Sequence, residues 1–204
     1  MAMKYYAIRK GLETGIFTDW DTCKEKVTGF PGAEYKGFQT LPEAEAYLGG
    51  GNATATVPTI DSMLTEPVPG TAVAYVDGSY VDGRFSYGAV IACDGAIKKL
   101  SEAMEDPDLA NMRNVAGEIK GAEAAIRYAV EHNCRELWIY YDYEGIEKWA
   151  TGQWKTNKDG TKAYKAFCDS MKNLLNIYFV KVKGHSGDKY NDMADLLAKQ
   201  ALGL

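Results

Sequence analysis

The stretch AVAYVDGSYVDGRFSYGAVIACDGAIKKLSEAM, residues 72–104, decides the fold of the larger part of this chain. It contains three runs with the composition of β-strands, at 72–77, 85–93 and 96–104. Asp82-Gly83 lies between the first and second runs, and Asp94-Gly95 lies between the second and third. The dipeptide Asp-Gly favours the tight turns of β-hairpins. The stretch therefore predicts an antiparallel meander of three strands.

Helices and single strands alternate after the meander. Asn114 is the predicted cap of a helix running to about His132, which carries an apolar stripe at helical spacing. A strand at 136–141, one or two helices between 144 and 175, a strand at 177–182 and a helix at 189–202 follow. Strands separated by helices pair in parallel, so the sequence predicts a five-stranded mixed sheet flanked by helices, an α/β fold.

Four carboxylates stand where acidic side chains are unusual. Asp77 and Asp142 each end an apolar strand-like run, Glu118 borders the helical stripe, and Asp195 lies early in the last helix. Acids near apolar surface repel each other and are costly to desolvate, and two divalent cations would relieve both costs. Ligation by oxygen alone favours Mg²⁺ or Mn²⁺ over zinc. The pattern indicates two-metal phosphodiester chemistry, with ions about 3.5–4 Å apart.

Each carboxylate taken singly has an ordinary alternative. An Asp before Gly-Ser, as at Asp77, is usually a turn residue. Asp142 could cap the following helix, and Glu118 could interact with the helix dipole. Helical phase does not place Asp195 firmly on a buried face. The functional interpretation depends on strand ends and helix starts meeting in one crevice, as they do in α/β folds.

Composition limits the classes of partner. The chain has 204 residues and a net charge of −5, which argues against a simple nucleic-acid binder. Two bound divalent ions would bring the charge to about −1 and weaken that argument.

No apolar run is long enough to span a bilayer, so no membrane partner is expected. The four cysteines form no CxxC pair, and such scattered thiols fit the reducing cytoplasm. We also expect the protein to be a monomer.

The segment 49–70 divides the chain. It is rich in Gly, Thr, Ala and Pro, has no Lys or Arg, and is predicted to be a linker with a short apolar patch at Ile60, Met63 and Leu64. Residues 1–48 and 71–204 are then separate domains. The first contains a predicted hairpin, a helix capped by Asp19 or Asp21, a strand EYKGF and a last helix.

The larger domain resembles the type 1 ribonuclease H family. The residues that carry the resemblance are Asp77-Gly78-Ser79, Asn114 with Glu118, Asp142, Lys183-Gly184-His185-Ser186-Gly187, Asn191 and Ala194-Asp195. The resemblance implies a ribonuclease H-like fold and an endonuclease that cuts the RNA strand of RNA–DNA hybrids. It also implies that Asp77, Glu118, Asp142 and Asp195 hold two Mg²⁺ ions, that His185 assists water activation or product departure, and that Asn114 contacts the substrate.

This chain departs from the family pattern in two places. Better-known members have a Thr-Asn-x-Arg run before the helical Glu, where this chain has Arg113-Asn114-Val115-Ala116. Some members also have a basic protruding helix after the third Asp. The corresponding stretch here, Thr151 to Thr161, is too short for one and has only Lys155 and Lys158 as cations.

Residues 1–48 resemble the hybrid-binding domain found ahead of many ribonucleases H, which is related to a caulimovirus viroplasmin segment. The matching text is YYAIRKG at 5–11, GIF at 15–17 with Trp20, and YKGF at 35–38. The resemblance implies that Tyr6, Trp20 and Tyr35 contact the DNA strand and that Lys36 grips the RNA, with Gly37 where a second lysine is common. The alternative is that these three aromatic residues form the core of a small domain.

Two other functions remain open. A DNA-acting nuclease of the same superfold would use a similar acidic cluster on duplex DNA. A non-catalytic factor that only binds RNA–DNA hybrids would need neither the carboxylates nor His185. The sequence favours the Mg²⁺-dependent ribonuclease, with Mn²⁺ as an alternative ion.

Overall fold

The computed structural model describes residues 4–48, 57–106, 109, 111–184 and 187–204. The chain divides into two compact units, Met1–Val57 and Pro58–Leu204. No helix in the described ranges has both the length and the apolar composition needed to cross a membrane.

The N-terminal unit is a three-stranded antiparallel sheet with two helices. Its elements are β1 (Tyr5–Lys10), β2 (Gly15–Phe17), α1 (Trp20–Val27), β3 (Glu34–Phe38) and α2 (Leu41–Leu48), and β1 is the central strand. Of the two predicted caps, Asp19 is the one used, because its Oδ1 accepts a hydrogen bond from the Thr22 amide at 2.7 Å. The core is thin and is formed by Ile8, Cys23 and Val27.

The C-terminal unit is the predicted mixed sheet flanked by helices. Its elements are α3 (Ile60–Thr65), β4 (Thr71–Val81), β5 (Arg84–Cys93), β6 (Ala96–Met104), α4 (Asn114–Glu131), β7 (Glu136–Tyr141), α5 (Gly145–Ala150), α6 (Asp159–Met171), β8 (Asn176–Lys181) and α7 (Lys189–Ala201). The strand order is β6-β5-β4-β7-β8. Pairing is antiparallel from β4 to β6 and parallel from β4 to β8. The prediction of the fold class is confirmed.

The two Asp-Gly turns have the backbone that tight hairpins require. Asp82 and Gly83 have φ of 49° and 84°, and Asp94 and Gly95 have φ of 49° and 77°. Positive φ at both central residues matches the right-handed twist of the strands, and Asp and Gly tolerate it best. These turns fix the register of the meander and therefore the position of Asp77 on the central strand.

Helices α4 and α7 pack on opposite faces of the sheet at glycines. A Cβ on Gly78 of β4 would lie 2.2 Å from the Asn114 carbonyl oxygen and 2.5 Å from the Glu118 amide nitrogen. A Cβ on Gly88 of β5 would lie 2.0 Å from the carbonyl oxygen of Ala194. The missing side chains allow both helices to approach the sheet closely, which brings Glu118 against β4 at Gly78, next to Asp77.

The structure differs from the predicted linker 49–70 in the second half of that segment. Residues 60–65 form α3, whose start has a reciprocal pair of hydrogen bonds between Thr59 and Ser62. Ile60 and Met63 are fully buried in the core on the α7 face of the sheet. Burial of this apolar patch makes the segment part of the larger unit, and residues 49–56 lie outside the described residues.

Candidate active site

Three of the four predicted carboxylates meet beside the central strand β4, where the neighbouring strand β7 ends. One oxygen atom from each of Asp77, Glu118 and Asp142 lies within 4.8 Å of the others. The register explains the meeting, because Tyr75 of β4 is opposite Tyr140 of β7 in a parallel pair, and each Asp follows two residues later. Glu118 is added from α4 through the close approach at Gly78.

Glu118 is the most buried member of this carboxylate trio, at 2% exposure. Its Oε1 accepts a hydrogen bond from Asn114 Nδ2 at 3.4 Å, whereas its Oε2 is buried without a hydrogen-bond partner in the described part of the chain. Burial, reinforced by the charges of Asp142 and Asp77, raises the pKa of Glu118 to about 9. Without a cation this carboxyl therefore holds its proton at neutral pH.

The trio fits a hard divalent cation. All of its candidate ligand atoms are carboxylate oxygens, and the unpartnered Glu118 Oε2 is a buried acceptor that a cation would satisfy. Gly184 closes the site on another side, because a Cβ there would lie 2.4 Å from Asp142 Oδ2. Asp77, Glu118 and Asp142 are the residues that could hold a metal ion.

Asn114 does not act as the helix cap that the sequence predicts. The cap position is Arg113, which has φ of 54° and ψ of −132° and makes no capping hydrogen bond through its side chain. Asn114 is instead the first helical residue, and its amide reaches the next turn to hold Glu118. A positive φ at a non-glycine residue beside buried carboxylates is the kind of strain that concentrates at functional sites.

The other two predicted catalytic residues are not in the trio. Asp195 lies on α7, and its Oδ2 accepts a hydrogen bond from Lys199 Nζ at 2.6 Å, one helical turn away. Its role as a metal ligand stays a prediction. His185 lies outside the described residues, so its role also stays a prediction.

A cavity of about 340 Å³ beside Asn114 is lined by two aromatic functional candidates, Tyr143 and Trp149, that were not predicted from the sequence. Its walls include the cations Arg113, Lys155 and Lys158 and the rings of Tyr143 and Trp149. The rings of Tyr143, Trp149 and Trp154 form a cluster, with centroids 5.7–6.5 Å apart. The signal available in the sequence was Tyr143 directly after Asp142, followed by two tryptophans within eleven residues.

The aromatic candidates of the N-terminal unit form a surface row. Trp20 lies between Tyr6 and Tyr35, with centroid distances of 5.4 and 5.8 Å. Trp20 is 41% exposed and Tyr35 is 44% exposed, so these two residues are not in the core of the unit. Tyr6 is half-buried and packs against that core. Lys36 is exposed, and its Nζ lies 5.5 Å from the centroid of the Phe38 ring. Because it neighbours Tyr35 on β3, its side chain is on the opposite face of the small sheet from this row. This arrangement favours a contact surface over the core alternative, although their contacts with nucleic acid stay a prediction.

The fold and the carboxylate trio together define an α/β protein of the ribonuclease H-like class. The chain belongs to the ribonuclease H family, because the family model described as RNase H matches residues 69–203. A second model, described as Ribonuclease H1 N-terminal domain, matches residues 4–48. Both resemblances inferred from the sequence are confirmed.

Curated relatives match one or both parts. Ribonuclease H1 of Rattus norvegicus is 27% identical over 254 residues, covering 96% of this chain and 88% of the relative. Ribonuclease H of Francisella philomiragia is 31% identical over 144 residues, covering 64% of this chain and 90% of the relative. Ribonuclease H of Saccharomyces cerevisiae is 47% identical over 51 residues, covering 25% of this chain and only 15% of the relative.

Solved structures share the fold of the larger unit. RNase H1 from Halobacterium salinarum has a TM-score of 0.55 at 22% identity, covering 65% of this chain and 98% of its own. LC11-RNase H1, solved in complex with an RNA/DNA hybrid, has a TM-score of 0.52 at 17% identity, covering 64% of this chain and 99% of its own. At these identities the likeness establishes the fold alone.

Proposed function

We propose that this protein is an endonuclease that hydrolyses the RNA strand of RNA–DNA hybrids with bound Mg²⁺, for which Mn²⁺ can substitute. The observation that carries the proposal is the trio of Asp77, Glu118 and Asp142 in a chain of the ribonuclease H family. The unpartnered buried oxygen of Glu118 supports a cation at that position.

The residues of the trio have separable tasks. Asp77 and Asp142 supply oxygen ligands from two neighbouring strands, and Glu118 releases its proton when a cation takes its place. Asn114 holds Glu118 Oε1, which leaves Oε2 as the carboxylate oxygen without a hydrogen-bond partner in the described part of the chain. Bound divalent ions would activate the attacking water and stabilise the leaving 3′ oxygen. Asp195 would join the ligands by leaving Lys199, and His185 would assist water activation or product departure.

The cavity beside Asn114 supports binding of a nucleic-acid strand. Arg113, Lys155 and Lys158 supply positive charge in a protein whose net charge is negative, and phosphates need such local cations. The rings of Tyr143 and Trp149 can pack on sugars or bases. A relative of the same fold is solved with an RNA/DNA hybrid, which supports the same substrate class here.

The N-terminal unit is proposed to bind the hybrid through its row of rings. Tyr6, Trp20 and Tyr35 would pack against the DNA strand, and Lys36 would contact the RNA. Aromatic packing with few cations suits recognition of the shape of a hybrid.

The test is a cleavage assay on RNA–DNA, RNA–RNA and DNA–DNA duplexes of one sequence, with Mg²⁺ or with a chelator. We expect cleavage of the RNA strand of the hybrid only, and only with the metal. Asp77→Asn should reduce cleavage at least a hundredfold while hybrid binding stays within threefold, because Asn keeps the shape and removes the charge. Asp192→Asn, an exposed change on α7, is the control.

Three results would overturn the proposal or part of it. Cleavage of DNA–DNA duplexes would indicate a DNA-acting nuclease of the same superfold. Hybrid binding without any metal-dependent cleavage would indicate a non-catalytic binding factor. Activity of Asp77→Asn within threefold of the parent would remove Asp77 from the site.

A further inference from the structure

A layer of tyrosines packs in the core on the α7 face of the sheet. Tyr75 and Tyr140 stack with ring centroids 4.3 Å apart, and Tyr190 packs against Tyr75 at 5.7 Å. All three are nearly fully buried in the same core cluster. We call Tyr75, Tyr140 and Tyr190 the tyrosine layer.

Each member of the tyrosine layer shares a backbone element with one carboxylate. Tyr75 precedes Asp77 by two residues on β4, and Tyr140 precedes Asp142 by two residues at the end of β7. Residues two apart on a strand point to the same face. Tyr190 lies in the first turn of α7, the helix that carries Asp195. The spacing of the three rings is therefore coupled to the spacing of the elements that present the carboxylates.

Helix α3 and the residue before its cap hold two of these phenols in place. Tyr140 donates a hydrogen bond to the Pro58 carbonyl oxygen at 2.9 Å. Tyr190 donates to Asp61 Oδ1 at 2.5 Å. A phenol ionises only at about pH 10, so both hydroxyls remain donors at neutral pH. Ile60, fully buried, closes the apolar side of the contact.

We propose that Tyr140 and Tyr190, anchored by residues 58–61, are positioning residues that set the relative placement of the carboxylates for divalent-cation binding. They act through β7 and α7 and touch neither metal nor substrate. The inference rests on the proposed function for its cleavage readout, and it is tested separately by metal binding.

The experiment uses the full chain with Tyr140→Phe, Tyr190→Phe and the double variant. Each change removes one hydroxyl and keeps the ring in the layer. The matched control is Tyr164→Phe on α6, in the core on the other face of the sheet. This change also removes a buried phenol hydroxyl, which donates a hydrogen bond to the Ile146 carbonyl oxygen at 3.1 Å. Binding of Mn²⁺ alone is followed by electron paramagnetic resonance, and hybrid cleavage is measured well below the unfolding temperature.

We expect the layer variants to weaken Mn²⁺ binding threefold to tenfold and to lower kcat by a similar factor, with KM for the hybrid within twofold. Tyr164→Phe should lower the unfolding temperature comparably while Mn²⁺ affinity and kcat stay at the parent values. The double variant should lose more Mn²⁺ affinity than either single variant, because the two anchors hold different elements.

Two results would overturn the inference. One is parent-like Mn²⁺ affinity, within 1.5-fold, in both single variants. The other is an equal loss of Mn²⁺ affinity in Tyr164→Phe, which would mean that general loosening of the unit explains the effect. If the parent binds Mn²⁺ but cleaves no hybrid, the proposed function fails while the Mn²⁺ comparison still decides the role of the tyrosine layer.

Discussion

At the residue scale, the buried proton of Glu118 links pH, metal binding and stability. The pKa of this carboxyl is about 9 in the folded protein and about 4.5 in an unfolded chain. Between these values the folded state holds a proton that the unfolded state has lost. The free energy of unfolding of the metal-free protein therefore falls as pH rises through this range. Divalent cations compete with that proton, so their affinity should rise with pH over the same interval.

The first prediction concerns Glu118→Gln in the presence of a chelator. Because Gln keeps the shape and removes the titration, the variant should match the parent in stability near pH 4.5. Near pH 8.5 it should be more stable than the parent by several kcal/mol, because the parent loses about 1.4 kcal/mol of unfolding free energy for each pH unit over which only its folded state holds the proton. Urea unfolding at the two pH values measures this, with Glu131→Gln at the exposed end of α4 as control. Parallel pH profiles for parent and Glu118→Gln would contradict the prediction.

A second prediction at this scale concerns His185→Ala. The metals carry most of the charge that develops in the transition state, so this variant should slow turnover by about 10²–10⁴-fold without abolishing it, the usual share of one acid–base group. Single-turnover cleavage and Mn²⁺ binding are measured together. Parent-like turnover would assign His185 no part in the chemistry, and complete loss with metal binding preserved would make it indispensable.

At the element scale, glycines decide where α4 and α7 can lie. A methyl group on Gly78 would meet backbone atoms of α4, which cannot rotate away as a flexible side chain would. The helix must then move, and Glu118 moves with it. The absence of a side chain at Gly78 is therefore as important for the site as the neighbouring carboxylate of Asp77.

We therefore predict that Gly78→Ala destabilises the fold by about 1–3 kcal/mol, the range for overpacking, and also weakens Mn²⁺ binding at least tenfold. The control is Gly83→Ala in the hairpin turn, where φ is +84° and no atom lies within 4 Å of the added Cβ. That variant should lose stability through backbone strain alone and keep its Mn²⁺ affinity. Equal Mn²⁺ affinity in the two variants would contradict this role for Gly78.

The elements also show what the sequence could and could not predict. The Asp-Gly turns and the apolar stripe of α4 are local signals, so the strands and long helices were predicted to within a few residues. Helix α3 was missed because six residues give too short a window for periodicity and its neighbours are rich in Pro and Thr. The convergence of Asp77, Glu118 and Asp142 followed from topology. The burial of Glu118 Oε2 depends on segments that are distant in the sequence and could not be predicted from local patterns. The ring cluster around Trp149, in contrast, lies within a short stretch of sequence.

At the scale of the whole molecule, the chain divides between Val57 and Pro58, inside the segment 49–70 that the sequence predicts to be a linker. The position matters because α3 buries Ile60 and Met63 in the larger unit and anchors the tyrosine layer. Fully burying such side chains stabilises a fold by about 1.5–3 kcal/mol each. A truncation that follows the linker composition would remove this contribution from the catalytic unit.

The prediction compares deletion of residues 1–57 with deletion of residues 1–70. The shorter deletion should leave a folded nuclease with a raised KM on long hybrids, because a tethered binding unit raises the effective concentration of the enzyme at its substrate. The longer deletion should in addition lower the free energy of unfolding by about 3–6 kcal/mol, from the two side chains. Urea unfolding and KM on long and short hybrids at one salt concentration measure these effects. Equal stability of the two truncated proteins would contradict the structural role of α3.

The exposed ring of Trp20 gives the N-terminal unit an optical signal of its own. It is the single tryptophan among residues 1–57, and it stands at the surface between two tyrosines. A base or sugar that packs on this row would change the polarity around the indole and quench its emission. In a protein whose other three tryptophans are replaced by phenylalanine, fluorescence at one wavelength would therefore follow occupation of this unit in real time. The rate at which the protein first engages a hybrid could then be separated from the rate at which it cuts.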